Sequence, residues 1–181
     1  MKKPNINSVP LTTLILFLIC VIVTAALAGT NFITKPRIEA LELKAQNEAM
    51  AVVLPAESYT ASTVTVENVA YPYTVAKNGE KTVGYIITAT EKGYGGDVKV
   101  MVGADLTGKI TAVKIISADD ETPGLGQKVT KKDFYEKFSG KPLDDTKIDA
   151  ITGASISSKA VNNAVEKAAD ILNKILKGEV K

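Results

Sequence analysis

The chain of 181 residues has no histidine and a single cysteine. Without histidine there can be no Ser-His-Asp type triad, no His-containing zinc site and no side chain that ordinarily titrates near neutral pH. Cys20 lies in an apolar run and has no second cysteine to meet, which excludes an intrachain disulfide and a cysteine-cluster metal site. An excess of one charge is also missing. Twenty-two basic residues stand against 20 acidic ones, so no nucleic-acid footprint is present. Internal repeats and low-complexity linkers are absent as well. Any chemistry must come from a bound cofactor or from carboxylates, lysines and hydroxyls. The length suits one medium domain with a sizeable core, plus an anchor.

What is present begins with a long uncharged stretch. No charged side chain occurs between Lys3 and Lys35, and its apolar heart runs from Leu11 to about Ala28. A bilayer core needs about 20 apolar residues, which this segment supplies. The competing reading is a cleaved signal peptide, because Ala26-Leu27-Ala28 resembles a small-residue cleavage site. The apolar run exceeds the usual signal core of about 7–15 residues, which favours an uncleaved anchor. Ile19, bulky and next to Cys20, argues against a lipoprotein-type site. Lys2 and Lys3 favour a cytoplasmic amino terminus, although Lys35 and Arg37 flank the other end. The expected division is a cytoplasmic leader at 1–8, a transmembrane anchor at 9–30, a helical stalk or connector at 31–60 and a folded domain at 61–181.

Pro36 opens a helical pattern in which Ile38, Leu41, Ala45, Ala49 and Val52 recur at three- and four-residue steps, and Pro55 closes it. From Ser62 the pattern turns to β, and Tyr71-Pro72-Tyr73 breaks that run. Strands are expected at Thr82–Thr90, Val98–Val102 and Lys109–Ser117, joined through Gly93–Gly96 and Asp105–Gly108. Such short connections make an antiparallel meander. Thr130 reads as the N-cap of a short helix through Phe138 that ends at Gly140, and Lys147–Ile151 as one more strand. Val161, Ala164, Val165, Ala168, Ile171, Leu172 and Ile175 form the apolar stripe of a closing helix. The fold class is α+β: an antiparallel β-sheet with packed helices, preceded by one N-terminal transmembrane helix.

Two segments stand out chemically. In Asp149-Ala150-Ile151-Thr152-Gly153-Ala154-Ser155, a hydroxyl-Gly-Ala-hydroxyl step precedes the closing helix. Small residues admit a large group, and the first N–H groups of a helix have no partner of their own, so the junction suits a phosphate. Ser155 reads equally as a plain N-cap, and Ser157 or Ser158 can serve as one too. Asp149 can orient the loop, accept backbone N–H groups or help position a metal during modification. The other segment is Glu121-Thr122-Pro123-Gly124-Leu125-Gly126, preceded by Asp119 and Asp120. Its glycines let backbone approach a flat ligand, while an ordinary Pro-Gly turn is the plainer reading. Tyr94, Tyr85, Phe134 and Tyr135 can stack on a ring, though aromatics at these spacings are usually core.

Asp149–Ser155 resembles the flavinylation motif of FMN-binding domains, and Glu121–Gly126 resembles a second hallmark of that family. Gly93-Tyr94-Gly95-Gly96 before a strand also matches. With one N-terminal span and this length, the chain is similar to the family of G subunits of Rnf ion-translocating electron-transport complexes. The related C subunits of sodium-pumping NADH:quinone reductases share the motifs but are longer.

The resemblance implies that a flavin transferase, using FAD, attaches FMN through its phosphate to the last hydroxyl of the motif, here Ser155. Serine stands where threonine is commoner, which leaves Thr152, Ser157 and Ser158 as other acceptors. It further implies that Glu121, Thr122, Leu125 and Gly126 lie on the ring side and Thr152, Gly153, Ala154 and Ser155 on the phosphate side, with Asp149 in the loop. It implies no protein-only catalytic residue and no metal. The chain would be an electron-carrying oxidoreductase subunit that does not turn over alone, with the remaining members of the complex and membrane lipid as partners. Its domain would sit outside the cytoplasmic membrane. A C-subunit-like component of a sodium-pumping NADH:quinone reductase, a free-standing extracellular FMN carrier and an anchored binding module with no redox role are the alternatives.

Overall fold

A computed structural model of the chain describes residues 9–66 and 69–179. The expected leader at 1–8 lies outside the described residues. Two compact units divide between Lys44 and Ala45, within the segment expected as a stalk.

Helix α1 spans Val9–Val53 and contains Pro36. The helical pattern that opens at Pro36 is thus continuous with the apolar segment before it. Proline removes one backbone hydrogen bond, but its fixed φ is helical, and no stop signal stands beside it. The helix ends two residues before Pro55. Its apolar part is the one segment among the described residues long and apolar enough to cross a membrane. Leu14, Phe17 and Ile22 are mostly exposed there, so these side chains are not core.

Five strands follow: β1 (Ser58–Val66), β2 (Val69–Asn78), β3 (Lys81–Lys92), β4 (Asp97–Asp105) and β5 (Ile110–Ser117). They form one antiparallel meander in sequence order. Contrary to the expected break at Tyr71-Pro72-Tyr73, β2 runs straight through Pro72. Pro72 pairs with Thr63 of β1, while pairing with β3 begins only at Tyr73. One side of the strand is thus open at Pro72, and a missing N–H is tolerated there.

Strict alternation gives the sheet two packed faces. Val98, Val100, Val102 and Ala104 of β4 share a core with Val161, Ala164, Val165, Ala168 and Leu172 of helix α3 (Ser155–Lys177). Full burial of one such aliphatic side chain contributes about 1.5–3 kcal/mol. On the other face, Ile86 and Met101 meet Ala49, Val53 and Leu54 at the end of α1. That approach depends on two glycines. A Cβ at Gly103 would meet the Val53 carbonyl at 3.0 Å, and one at Gly84 would meet the Leu54 side chain at 2.9 Å.

Two further expectations are corrected. Residues 147–151 form no strand. The Asn162 side chain of α3 takes the place of a pairing strand: its Oδ1 accepts the Ile148 N–H at 3.3 Å and its Nδ2 donates to the Ile148 carbonyl at 2.9 Å. The helix expected from Thr130 to Phe138 is a chain of short pieces: a 3₁₀ turn at Gly126–Thr130, α2 at Lys132–Tyr135 and a second 3₁₀ turn at Glu136–Phe138. The Thr130 hydroxyl donates back to the Gln127 carbonyl instead of capping forward.

The β4–β5 turn is organised by Asp105. Its Oδ1 accepts from Thr107 N–H at 2.8 Å, Thr107 Oγ1 at 2.7 Å and Lys109 N–H at 3.1 Å. Burial pushes the carboxyl up, but the bonds from Thr107 and Lys109 outweigh it and hold the group below the usual carboxylate range. A depressed folded pKa contributes stability that is fully present above the unfolded value, about 3.9, and lost as pH falls through the folded one. Asp105→Asn should therefore unfold at a lower temperature at pH 7, by less than about 1 kcal/mol for this exposed turn. The gap should close below about pH 4, as measured by thermal unfolding across pH.

Candidate functional site

Three connections converge at one end of the sheet: the β3–β4 turn at 93–96, the segment after β5 and the turn that starts α3. In the last of these, Ala154 N–H donates to the Ile151 carbonyl at 2.9 Å, and Gly153 has φ +82°. A glycine in the left-handed region at the third position of a tight turn avoids the Cβ strain any other residue would carry. Helix α3 begins directly afterwards. Ser158 N–H makes an early helical bond to the Ala154 carbonyl at 2.9 Å, so the N–H groups of Ser155, Ile156 and Ser157 precede the ladder. Such first-turn groups have no intrahelical acceptor and lie at the positive end of the dipole.

The N-cap position belongs to Ala154, which has no capping side chain. Ser155 is the first residue inside the helix, exposed, and no capping bond is made, so the plain N-cap reading of Ser155 is corrected. Ser157 and Ser158, the other cap candidates, are buried in the first turn. The Ser158 hydroxyl accepts the Ile151 N–H at 3.0 Å and so ties the turn to the helix.

Behind the turn lies Glu121, only 1% exposed. Its Oε1 accepts the N–H groups of Tyr94 at 2.8 Å and Gly95 at 3.3 Å, while Oε2 accepts the Ser157 hydroxyl. One buried carboxylate thereby joins all three connections. The surrounding glycines make room for it. A Cβ at Gly126 would stand 2.7 Å from Glu121 Oε2 and 2.9 Å from Ser157 Oγ, and a Cβ at Gly93 would run into Oε1.

These elements enclose a pocket of about 470 Å³, lined by Tyr94, Thr122, Leu125, Gly126, Gly153, Ala154, Ser155, Ile156 and Ser157. This volume falls within the range of small-molecule and cofactor sites, about 300–1,000 Å³. Of the residues singled out in the sequence, Thr122, Leu125, Gly126, Gly153, Ala154 and Ser155 line it together. Glu121 does not reach the lining; its carboxylate stands behind the wall. Thr152 and Asp149 are exposed outside the lining.

Of the lining residues, Ile156 alone has no role in the sequence reading, where Ser157 stands as a cap or acceptor and Tyr94 as a ring-stacking candidate. Ile156 had a signal: it is an apolar residue on the helix face it shares with exposed Asn163 and Lys167. Tyr94 is 70% exposed, unlike the buried Phe134 and Phe138, so the expectation that such aromatics are core does not hold for it.

The lining has the chemistry FMN requires. Apolar side chains and bare glycine backbone suit a flat ring, while an exposed hydroxyl among unpaired helix N–H groups suits a phosphate. Among the described residues no cluster of metal-ligating side chains occurs.

Comparison with known proteins agrees with this geometry. Residues 93–170 match the FMN-binding domain model, and residues 1–53 match the RnfG N-terminal region. The chain is 32% identical to the G subunit of the proton-translocating ferredoxin:NAD(+) oxidoreductase complex of Clostridium ljungdahlii, covering 93% of this chain and 94% of that protein. It is also 32% identical to the Na(+)-translocating counterpart from Acetobacterium woodii, over 91% of each. Among solved structures, the C subunit of the Na(+)-translocating NADH-quinone reductase from Parabacteroides distasonis superposes with a TM-score of 0.51 at 25% identity, covering 59% of this chain and 63% of that one. With two family models matched in order along its length, and relatives aligned over more than nine-tenths of both chains, the chain belongs to the RnfG family, the G subunits of ion-translocating oxidoreductase complexes.

Proposed function

We propose that this chain is a membrane-anchored flavoprotein subunit that carries FMN on Ser155 and relays electrons within an ion-translocating ferredoxin:NAD oxidoreductase complex. The observation that carries the reading is the meeting of both motif segments and the exposed Ser155 hydroxyl in one pocket at the start of α3. In the attachment step, the Ser155 Oγ–phosphorus bond forms as the pyrophosphate bond of FAD breaks. The hydroxyl proton is released and AMP leaves, with a flavin transferase as the maturation partner. The N–H groups of Ser155 and Ile156 then hold the phosphate charge at the helix terminus. Leu125, Gly126, Thr122 and Ile156 take the ring side and exclude water from it. When bound, FMN supplies one- and two-electron chemistry, which suits a relay without histidine.

A covalent tether also keeps the cofactor from being lost, which matters most for a domain facing the dilute exterior. Lys2 and Lys3 ahead of the uncharged run support that sidedness, with the amino terminus in the cytoplasm and the span in contact with lipid. The test is production of the full chain with and without a flavin transferase. The expected product gains the mass of one FMN less one water only with the transferase, and its band fluoresces on a denaturing gel. A wild-type chain that gains no mass with an active transferase would overturn the reading.

A further inference from the structure

Tyr94 reaches the pocket from the β3–β4 turn, on a different element from Leu125, Gly153 and Ile156. A lone exposed tyrosine means little by itself. This one differs because the backbone that carries it is held on every side. Its own N–H and that of Gly95 are bound to the buried Glu121 carboxylate, and Gly93 N–H closes the turn on the Gly96 carbonyl at 2.8 Å. A Cβ at Gly95 would run into the Asp120 carbonyl, and one at Gly96 would come within 2.6 Å of the Asp120 carboxylate, so the turn lies flat against the following segment. A rigid turn therefore presents a side chain that remains 70% exposed beside an apolar pocket. Other aromatics of the domain are committed elsewhere. Tyr73 and Tyr85 pack edge to face at 5.9 Å, and Phe134 and Phe138 do so at 6.3 Å.

We propose that Tyr94 is the aromatic cover of the pocket, packing its ring on one face of the isoalloxazine of FMN and fixing the ring's orientation. The proposal rests on the reading of this pocket as the FMN site. Offset stacking of two flat rings gains area and favourable quadrupole contact, and a tyrosine with two side-chain torsions loses little entropy in making it. Pinning the backbone in advance lowers that loss further.

The contact has an optical signature. A phenol in van der Waals contact donates one electron to an excited flavin and recovers it, which removes the emission without net oxidation. Phenylalanine at the same place stacks but lacks the phenol. The experiment uses the full chain matured with a flavin transferase, as wild type, Tyr94→Phe and Tyr94→Leu. Flavin emission of each native protein is divided by that of the same sample after denaturation, and the adduct is verified by mass.

The expected result is strong quenching in native wild type and a severalfold higher ratio in both variants. Emission anisotropy should fall in Tyr94→Leu, where the ring loses its cover, and stay near wild type in Tyr94→Phe. Equal ratios in all three proteins, with the adduct mass present in each, would overturn the role of Tyr94 and leave the Ser155 attachment standing. Absence of the adduct mass from wild type would overturn both. If Tyr94→Leu does not fold, Tyr94→Phe decides, since it differs by one hydroxyl.

Discussion

Ser155→Ala is expected to give a folded protein that acquires no FMN at all when matured with a flavin transferase. The effect is all or none because a phosphoester needs an oxygen at that place, and the neighbouring hydroxyls are not equivalent to Ser155. Ser157 is buried with its hydroxyl on Glu121, and Ser158 is buried with its hydroxyl on the Ile151 N–H. Thr152 is exposed but lies outside the pocket lining. Of these four hydroxyls, only that of Ser155 is both exposed and within the lining at the helix terminus. Stability should change little, within about 0.5 kcal/mol, because the exposed Ser155 makes no capping bond. Intact mass and in-gel fluorescence report the adduct, and thermal unfolding reports the fold. Ser155→Thr should keep the adduct, and Thr152→Ala should also keep it. A full adduct on Ser155→Ala would move the attachment to another hydroxyl.

The second large effect concerns a residue that never touches the pocket. Glu121→Ala should destabilise the domain by on the order of 3 kcal/mol. Hydrogen bonds to a carboxylate contribute about 1.5–3 kcal/mol, and a buried partner left without one costs about 1–3 kcal/mol. Here the buried Ser157 hydroxyl loses its acceptor, while the N–H groups of Tyr94 and Gly95 can turn to water. A side-chain cavity also remains beneath Gly93 and Gly126. For a unit of this size the loss corresponds to a melting temperature lower by roughly 10 °C. Glu121→Gln, which keeps the shape and one acceptor, should fall in between. Thermal unfolding of the three proteins gives the order. If Glu121→Ala unfolds within about 1 kcal/mol of wild type, the three connections are held by something other than this carboxylate.

These two residues mark different kinds of legibility. Ser155 is readable because its setting is local: a hydroxyl after Gly-Ala, at the point where an apolar stripe of helical period begins. Glu121 is visible as part of a motif, but its job is not. Its hydroxyl partner, Ser157, lies 36 residues away in sequence and its N–H partners in the β3–β4 turn, 26 and 27 residues away. Nothing local marks a carboxylate as facing inward to receive three donors. For that reason its contacts are not legible locally: the resemblance implies a place on the ring side, and the fold shows a buried carboxylate outside the pocket lining.

The strands repeat the lesson. β3, β4 and β5 are announced by alternation and glycine turns, which are near-neighbour signals. Pro72 reads as a breaker because proline lacks an N–H, yet its effect depends on whether a strand stands beside it at that position. Residues 147–151 read as a strand because their composition is extended, but an asparagine side chain on α3 supplies the partner instead.

The sequence by itself determined the membrane-compatible helix, the α+β class, the closing helix with its buried stripe and the small-residue junction before Ser155. Each follows from residue type and spacing within a few turns of chain. Only the tertiary structure decided that Glu121 serves as the clamp behind the pocket, that Ser157 and Ser158 are sealed while Ser155 is open, and that Tyr94 stands out at the pocket's edge. Those outcomes depend on which distant groups meet across the sheet, and burial and hydrogen-bond partners are properties of that meeting.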